Sequence, residues 1–308
     1  MKNIFLLALF AVVPIYINAQ ETNYPSSFEE PIPLFDVALG EFEYPISSES
    51  EKAQAYFNQG FQMMYAFTKV DAARSFREAQ KADPNCAICY WGEAWAWGSY
   101  LNGAMTEAEA PQAYEKIQEA IEISRNNGDE KERDLIKAFS IRYVEDYDQS
   151  ERAFQDTLYS KQMEILAQKY PNDLDIATLY AESLFLLEPR RGTRDVNDPD
   201  VEKLHSVLEG ILEKDIKHPG ACHLYIHATE STQNPEWAEP CAEYIGTSIP
   251  GASHINHMPS HTWNEIGRWS DAVTANIMAW HSDMKASVGE GFAIYPSHNL
   301  HMLAFATY

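Results

Sequence analysis

The sequence predicts an all-α chain built from repeated helical units, and three observations carry that prediction. Small residues and prolines recur at one interval, since Gly60 to Ala72, Ala72 to Pro84, Ala238 to Pro250 and Ser260 to Ala272 are each twelve residues apart. Apolar residues keep helical spacing, as at Ala113, Ile117 and Ala120 in "AYEKIQEAIEI". Alternating strand patterns are nearly absent.

In "YFNQGFQMMYAFTKVDAARSFREAQKADP", Gly60, Ala72, Phe76, Ala79 and Pro84 fall where the tetratricopeptide repeat needs them, and the segment resembles that family. Its helix-turn-helix unit requires small residues where the two helices touch and a proline that ends the second. Gln59 stands where the family carries leucine, and Met63 where it carries an aromatic. The resemblance extends from about Ala53 to Tyr308. The phrases "CAICYWGEAWAWG", "HPGACHLYIHATE", "HINHMPSHTW" and "YPSHNLHML" resemble a group of exported bacterial tetratricopeptide-repeat proteins. That likeness implies a solenoid and names no activity.

The elements follow in chain order. Residues 1–19, "MKNIFLLALFAVVPIYINA", have one cation at Lys2, an apolar core and a small-residue ending, the pattern of a signal peptide cleaved before Gln20. The apolar run is too short to span a membrane, and no later stretch approaches the ~18 apolar residues a spanning helix needs. Residues 20–52, rich in Pro, Ser and Glu, are expected to form an extended N-terminal arm. Residues 53–308 form the predicted solenoid, with six units starting near Ala53, Ala87, Gly128, Leu174, Cys222 and Ser253 and the first helix of a seventh at His298–Tyr308. Pro171 and Pro219 are 48 apart, so an insertion is expected to loop out at "RRGTRDVNDPD", Arg190–Asp200. The last residues, "HMLAFATY", stop inside an apolar helix without a polar cap, so the chain is expected to continue in a longer protein.

The formal charge of -23 becomes -24 once Lys2 leaves with residues 1–19, which contain no acid. So acidic a chain disfavours nucleic acid and anionic membranes as partners. Four cysteines, Cys86, Cys89, Cys222 and Cys241, suit a secreted or periplasmic protein with two disulfides. Of three possible pairings, Cys86–Cys89 with Cys222–Cys241 is the simplest. "CAIC" is followed by Tyr90, not His, which excludes haem attachment.

The tetratricopeptide resemblance implies that the second, fifth and ninth residues of each unit's first helix face a concave groove. In the sixth unit these are His254, His257 and His261, three of the chain's ten histidines. In the fifth they are His223, Ile226 and Glu230, with His227 one turn from His223; in the fourth, Asp175, Thr178 and Glu182; in the partial seventh, His298, His301 and Phe305. The second unit supplies Ile88, Trp91 and Trp95, and the first Gln54, Phe57 and Phe61. The expected groove is therefore aromatic at one end and rich in histidine at the other.

Neutral imidazole ligates Zn, Cu, Fe and Ni, so His223, His227, His254, His257, His261, His298 and His301 are candidate ligands. Glu230 and Glu182 are candidates for a supporting shell or a general base. "HLYIH" has no Glu after His223, which excludes the HExxH metalloprotease pattern. Trp91, Trp95, Phe57 and Phe61 form an expected ligand-binding surface for a small molecule or a peptide in the groove. His205 and His281, on second helices, and His218, beside Pro219, suit packing or capping instead. No phosphate loop or nucleophile elbow is present. Three functions fit: an exported solenoid that binds a transition metal, a hydrolytic or oxidative metalloenzyme on the same histidines, or a metal-free peptide scaffold.

Overall fold

A computed structural model describes residues 30–35, 37–188 and 192–308. The expected signal peptide of residues 1–19, the beginning of the expected arm, and Arg190 and Arg191 at the start of the expected loop lie outside the described residues. Among the described residues every regular element is helical, and the architecture is an all-α solenoid. No described helix is long and apolar enough to cross a membrane.

The helices are α1 (Glu51–Tyr65), α2 (Lys69–Ala82), α3 (Ala87–Trp97), α4 (Ala110–Ser124), α5 (Glu130–Ser140), α6 (Arg152–Lys169), α7 (Leu174–Leu187) and α8 (Pro199–Leu212). They continue as α9 (Pro219–Thr229), α10 (Glu239–Ile245), α11 (Ser253–His257), α12 (Pro259–Glu265), α13 (Trp269–Ala286) and α14 (Pro296–Thr307). Each packs on the next along the chain, except that α10 packs on α12 and not on α11, and α1 also touches α3, α3 touches α5, α7 touches α9 and α9 touches α12. α1, α3 and α5 thus form one run of the inner layer and α7, α9 and α12 another, and α1 meets α9.

Local chemistry sets the starts of several helices. Ser50 caps α1, Asp173 caps α7 and Asp198 caps α8, each accepting a backbone N–H of the first turn. Asp129 and Glu132 close a reciprocal capping box on α5. His218 caps α9, its Nδ1 accepting the Ala221 N–H at 3.1 Å, while Pro219 occupies the first helical position.

Close helix approach uses Gly60, which the repeat spacing singled out, and Gly92, which it did not. A Cβ on Gly60 would lie 2.8 Å from the Phe76 ring, and one on Gly92 would lie 2.5 Å from it. The ring of α2 is therefore gripped between α1 and α3. Both cysteine pairs form disulfides, Cys86–Cys89 within the start of α3 and Cys222–Cys241 between α9 and α10.

The inner face departs from the expected open groove. Residues 33–35 and 37–46 run along α1, whose carboxamides hold them like rungs. Gln59 accepts the Phe35 N–H at 2.9 Å, Gln62 accepts that of Gly40 at 2.7 Å and donates to Phe42 O at 2.7 Å, and Gln54 accepts that of Ile46 at 3.0 Å. Tyr44 stacks on Phe61 with centroids 4.8 Å apart, and the Gly251 N–H reaches Ala38 O at 2.8 Å. The arm thus bridges the first helix and the α10–α11 turn. On the same inner side Tyr65 donates to Asp175 at 2.7 Å and its ring lies against Gly220 of α9.

This closure corrects the expected aromatic surface. Phe57, Phe61 and Trp91 are fully buried and Trp95 is 2 % exposed. Phe61 meets Trp95 at 5.1 Å, Trp91 meets Trp95 at 5.3 Å and Phe139 at 4.9 Å, so the four rings form core with their neighbours. Large aromatics gain most where the arm and α5 exclude water from them.

Candidate metal centre

The histidines sit where α9, α11–α12 and α14 converge. His254 and His257 lie on α11, His261 on α12, and Pro259 interrupts the backbone hydrogen bonds between them, so the His261 N–H reaches Met258 O instead. His223 and His227 are one turn apart on α9, and His298 is in the first turn of α14.

These residues separate into two groups of three. In one, His257, His261 and His298 bring their ligand nitrogens together; in the other, His223, His227 and His254 do so. In the first group the Nε2 atoms of His257 and His261 are 2.9 Å apart and those of His257 and His298 3.1 Å. Tetrahedral nitrogens about 2.0–2.1 Å from a zinc ion are separated by about 3.4 Å, close to this spacing.

The opposite ring nitrogens are held by acceptors. Asn276 of α13 donates its amide to Ala272 O at 2.9 Å, which turns its Oδ1 to the Nδ1–H of His257 at 2.7 Å. Glu230, at the end of α9, takes His261 Nδ1 at 2.6 Å through one oxygen and His227 Nδ1 at 2.8 Å through the other. Each acceptor keeps a proton on Nδ1 and leaves an Nε2 lone pair facing inward. Converging lone pairs attract only through a shared proton or a cation.

Electrostatics favour the neutral, ligating form at His223, His254, His257 and His298 and the protonated form at His261. Burial holds His223, His254 and His257 well below the usual imidazole range, and neighbouring imidazoles push the same way. Burial also lowers His298. Against its own burial, His261 is raised by the Glu230 carboxylate; Glu230 in turn is held far below its ordinary range by His261 and His227, although burial opposes this. A cavity of about 340 Å³ opens on the cluster, lined by Asn102, His227, Glu230, His254, His261, Tyr295 and His298. No family model matches the chain, and no curated protein matches it.

Two expected members stand elsewhere. His301 is exposed, because α14 approaches the cluster with its first turn and His301 lies one turn further along. Glu182 is buried on α7, accepts Trp95 Nε1–H at 3.3 Å and sits in the field of Arg142 and Lys69. Neither belongs to the two histidine groups. His205 bonds Ala228 O at 3.1 Å and His281 is exposed, both apart from the cluster.

Sequence reasoning missed Asn276, Phe67 and Tyr295. Asn276 had a signal, a polar residue inside the buried small-residue stripe Ala272, Ala275, Ala279 of α13. Phe67 and Tyr295 had none. They are the two non-glycine residues with left-handed backbone among those described, φ 62° and 59°. Their rings lie 5.6 and 5.4 Å from that of His254. Non-glycine residues held in this strained region often mark functional sites.

Proposed function

We propose that the protein is an exported tetratricopeptide-like solenoid that binds a late first-row transition metal through His257, His261 and His298. It presents the ion to a small ligand in the adjoining cavity. The observation that carries this reading is the convergence of three Nε2 atoms, those of His257 and His261 belonging to rings whose opposite nitrogens are held by Asn276 and Glu230. Imidazole-only coordination suits Zn, Cu, Ni or Fe and disfavours Mg or Ca. The two disulfides support export, because such bonds persist in oxidising compartments.

A metalloenzyme is the second reading, favoured by one feature. Three protein ligands beside a cavity leave a coordination position for water or substrate, the arrangement of catalytic zinc sites. Turnover against ester, amide and phenolic substrates distinguishes it from simple binding.

Protein purified without an affinity tag should contain metal by elemental analysis. A chelator should lower its melting temperature, since an ion bound only by the folded state adds binding free energy to stability. His298→Ala should remove the ion of this triad and leave helicity intact, whereas exposed His281→Ala should do neither. Protein that refuses Zn, Cu, Ni and Fe at micromolar concentration would leave the peptide-scaffold reading in place.

A further inference from the structure

We infer that His223, His227 and His254 hold a second ion, so that the cavity faces a two-ion centre. This rests on the proposed metal at His257, His261 and His298. The three donor nitrogens lie within 4.8 Å of one another. An ion 2.0–2.1 Å from each requires separations below about 4.2 Å, so small ring rotations suffice.

The second triad is built as the first is. The Nδ1–H of His223 donates to Tyr65 O at 2.6 Å, and that of His227 to Glu230 at 2.8 Å, which directs both Nε2 lone pairs away from those acceptors. His223 is 1 % exposed and its Nε2 has no hydrogen-bond partner among the described residues. His254 is 2 % exposed and neither of its nitrogens has one. Buried polar atoms are nearly always paired, so these invite a ligand.

The surrounding wall is apolar and specific. The Phe67 ring lies 4.1 Å from that of His223 and 6.0 Å from that of His227. Such a wall offers water few partners and lowers the local dielectric, while leaving the lone pairs to a cation.

One carboxylate couples the two triads. Glu230 orients His227 of the second through one oxygen and His261 of the first through the other. Ring centroids across the divide are 5.4 Å apart for His227 and His261 and 5.7 Å for His254 and His257. The cavity meets members of both, so a ligand within it reaches both ions.

The test uses the whole tag-free protein, stripped with a chelator and titrated with Zn²⁺ under calorimetry and equilibrium dialysis. Wild type should bind two ions per chain. His254→Ala and, separately, His223→Gln should bind one, His298→Ala should bind one, and His254→Ala with His298→Ala none. Glu230→Gln should weaken both sites by about 10–100-fold, the usual effect of losing a partner that orients a ligating histidine. If a histidine variant does not fold, wild type loaded with Cu²⁺ supplies an independent readout: two copper ions should show dipolar broadening in electron paramagnetic resonance. A single ion, kept in His254→Ala and lost in His298→Ala, with an undistorted one-copper spectrum, would overturn the second site and leave the first standing. No ion in any form would overturn both.

Discussion

Glu182 shows what burial does to one residue. Enclosed on α7, its carboxyl is pushed up to about 7, with burial the largest cause and Arg142 and Trp95 pulling the other way. Its unfolded value is near 4.5, so the folded state holds more protons between these values. The sign follows: the contribution of Glu182 to stability is fully present below pH 4.5 and is lost as pH rises through 7. Glu182→Gln stays neutral and can still accept from Trp95. At pH 8 the variant should exceed wild type by roughly 1–3 kcal/mol in denaturant unfolding, with the gain vanishing near pH 4.5. A gain that does not vary with pH would refute this account. Sequence register placed Glu182 on the inner side of its helix, yet its neighbours are Trp95, Arg142 and Lys69 and not the histidines. The histidine cluster draws on Glu230 alone of the two acids named from sequence.

At the scale of elements, helix packing works through contact distance. Gly92 of α3 faces Phe76 of α2 so closely that a methyl group would sit 2.5 Å from ring carbons. Gly92→Ala should therefore destabilise by about 1–3 kcal/mol through overpacking, despite the better helix propensity of alanine. Gly210, within α8, has open space where its Cβ would be. Gly210→Ala should stabilise by about 0.5–1 kcal/mol. Thermal unfolding of both variants checks the pair, and effects of the same sign would show that propensity, not contact, governs. The first helices of the pairs begin at Glu51, Ala87, Glu130, Leu174, Pro219 and Ser253. The unit starts expected near Ala53, Ala87, Gly128, Leu174, Cys222 and Ser253 lie within three residues of these, because small residues, caps and prolines act within one or two turns.

Over the whole molecule, the arm and the inner layer close the superhelix on itself. Tyr65 of α1 meets Asp175 of α7 and the backbone-bonded His223 of α9, contacts that span 110 and 158 residues. The Cys222–Cys241 disulfide fastens α9, the helix of His223 and His227, to α10. Cys222→Ser with Cys241→Ser should cost about 2–4 kcal/mol in equilibrium unfolding, largely by freeing the unfolded chain. Unchanged stability would mean that the helix contacts alone hold α9 in place.

The helical class, approximate unit starts and the spacing of the histidines in "HINHMPSHTW" could be read from the residues alone, since each rests on periodicity or on neighbours close along the chain, whereas the choice among three cysteine pairings could not. Packing of distant helices sets the rest: seven candidate ligands become two triads without His301, and Asn276 and Glu230 orient three of those histidines. The arm covers Phe57 and Phe61 and turns the expected aromatic surface into core. Register states which way a side chain leaves its own helix. What it meets there depends on how far the solenoid curves and which distant segment fills its inside, and that is set by packing summed over the whole chain.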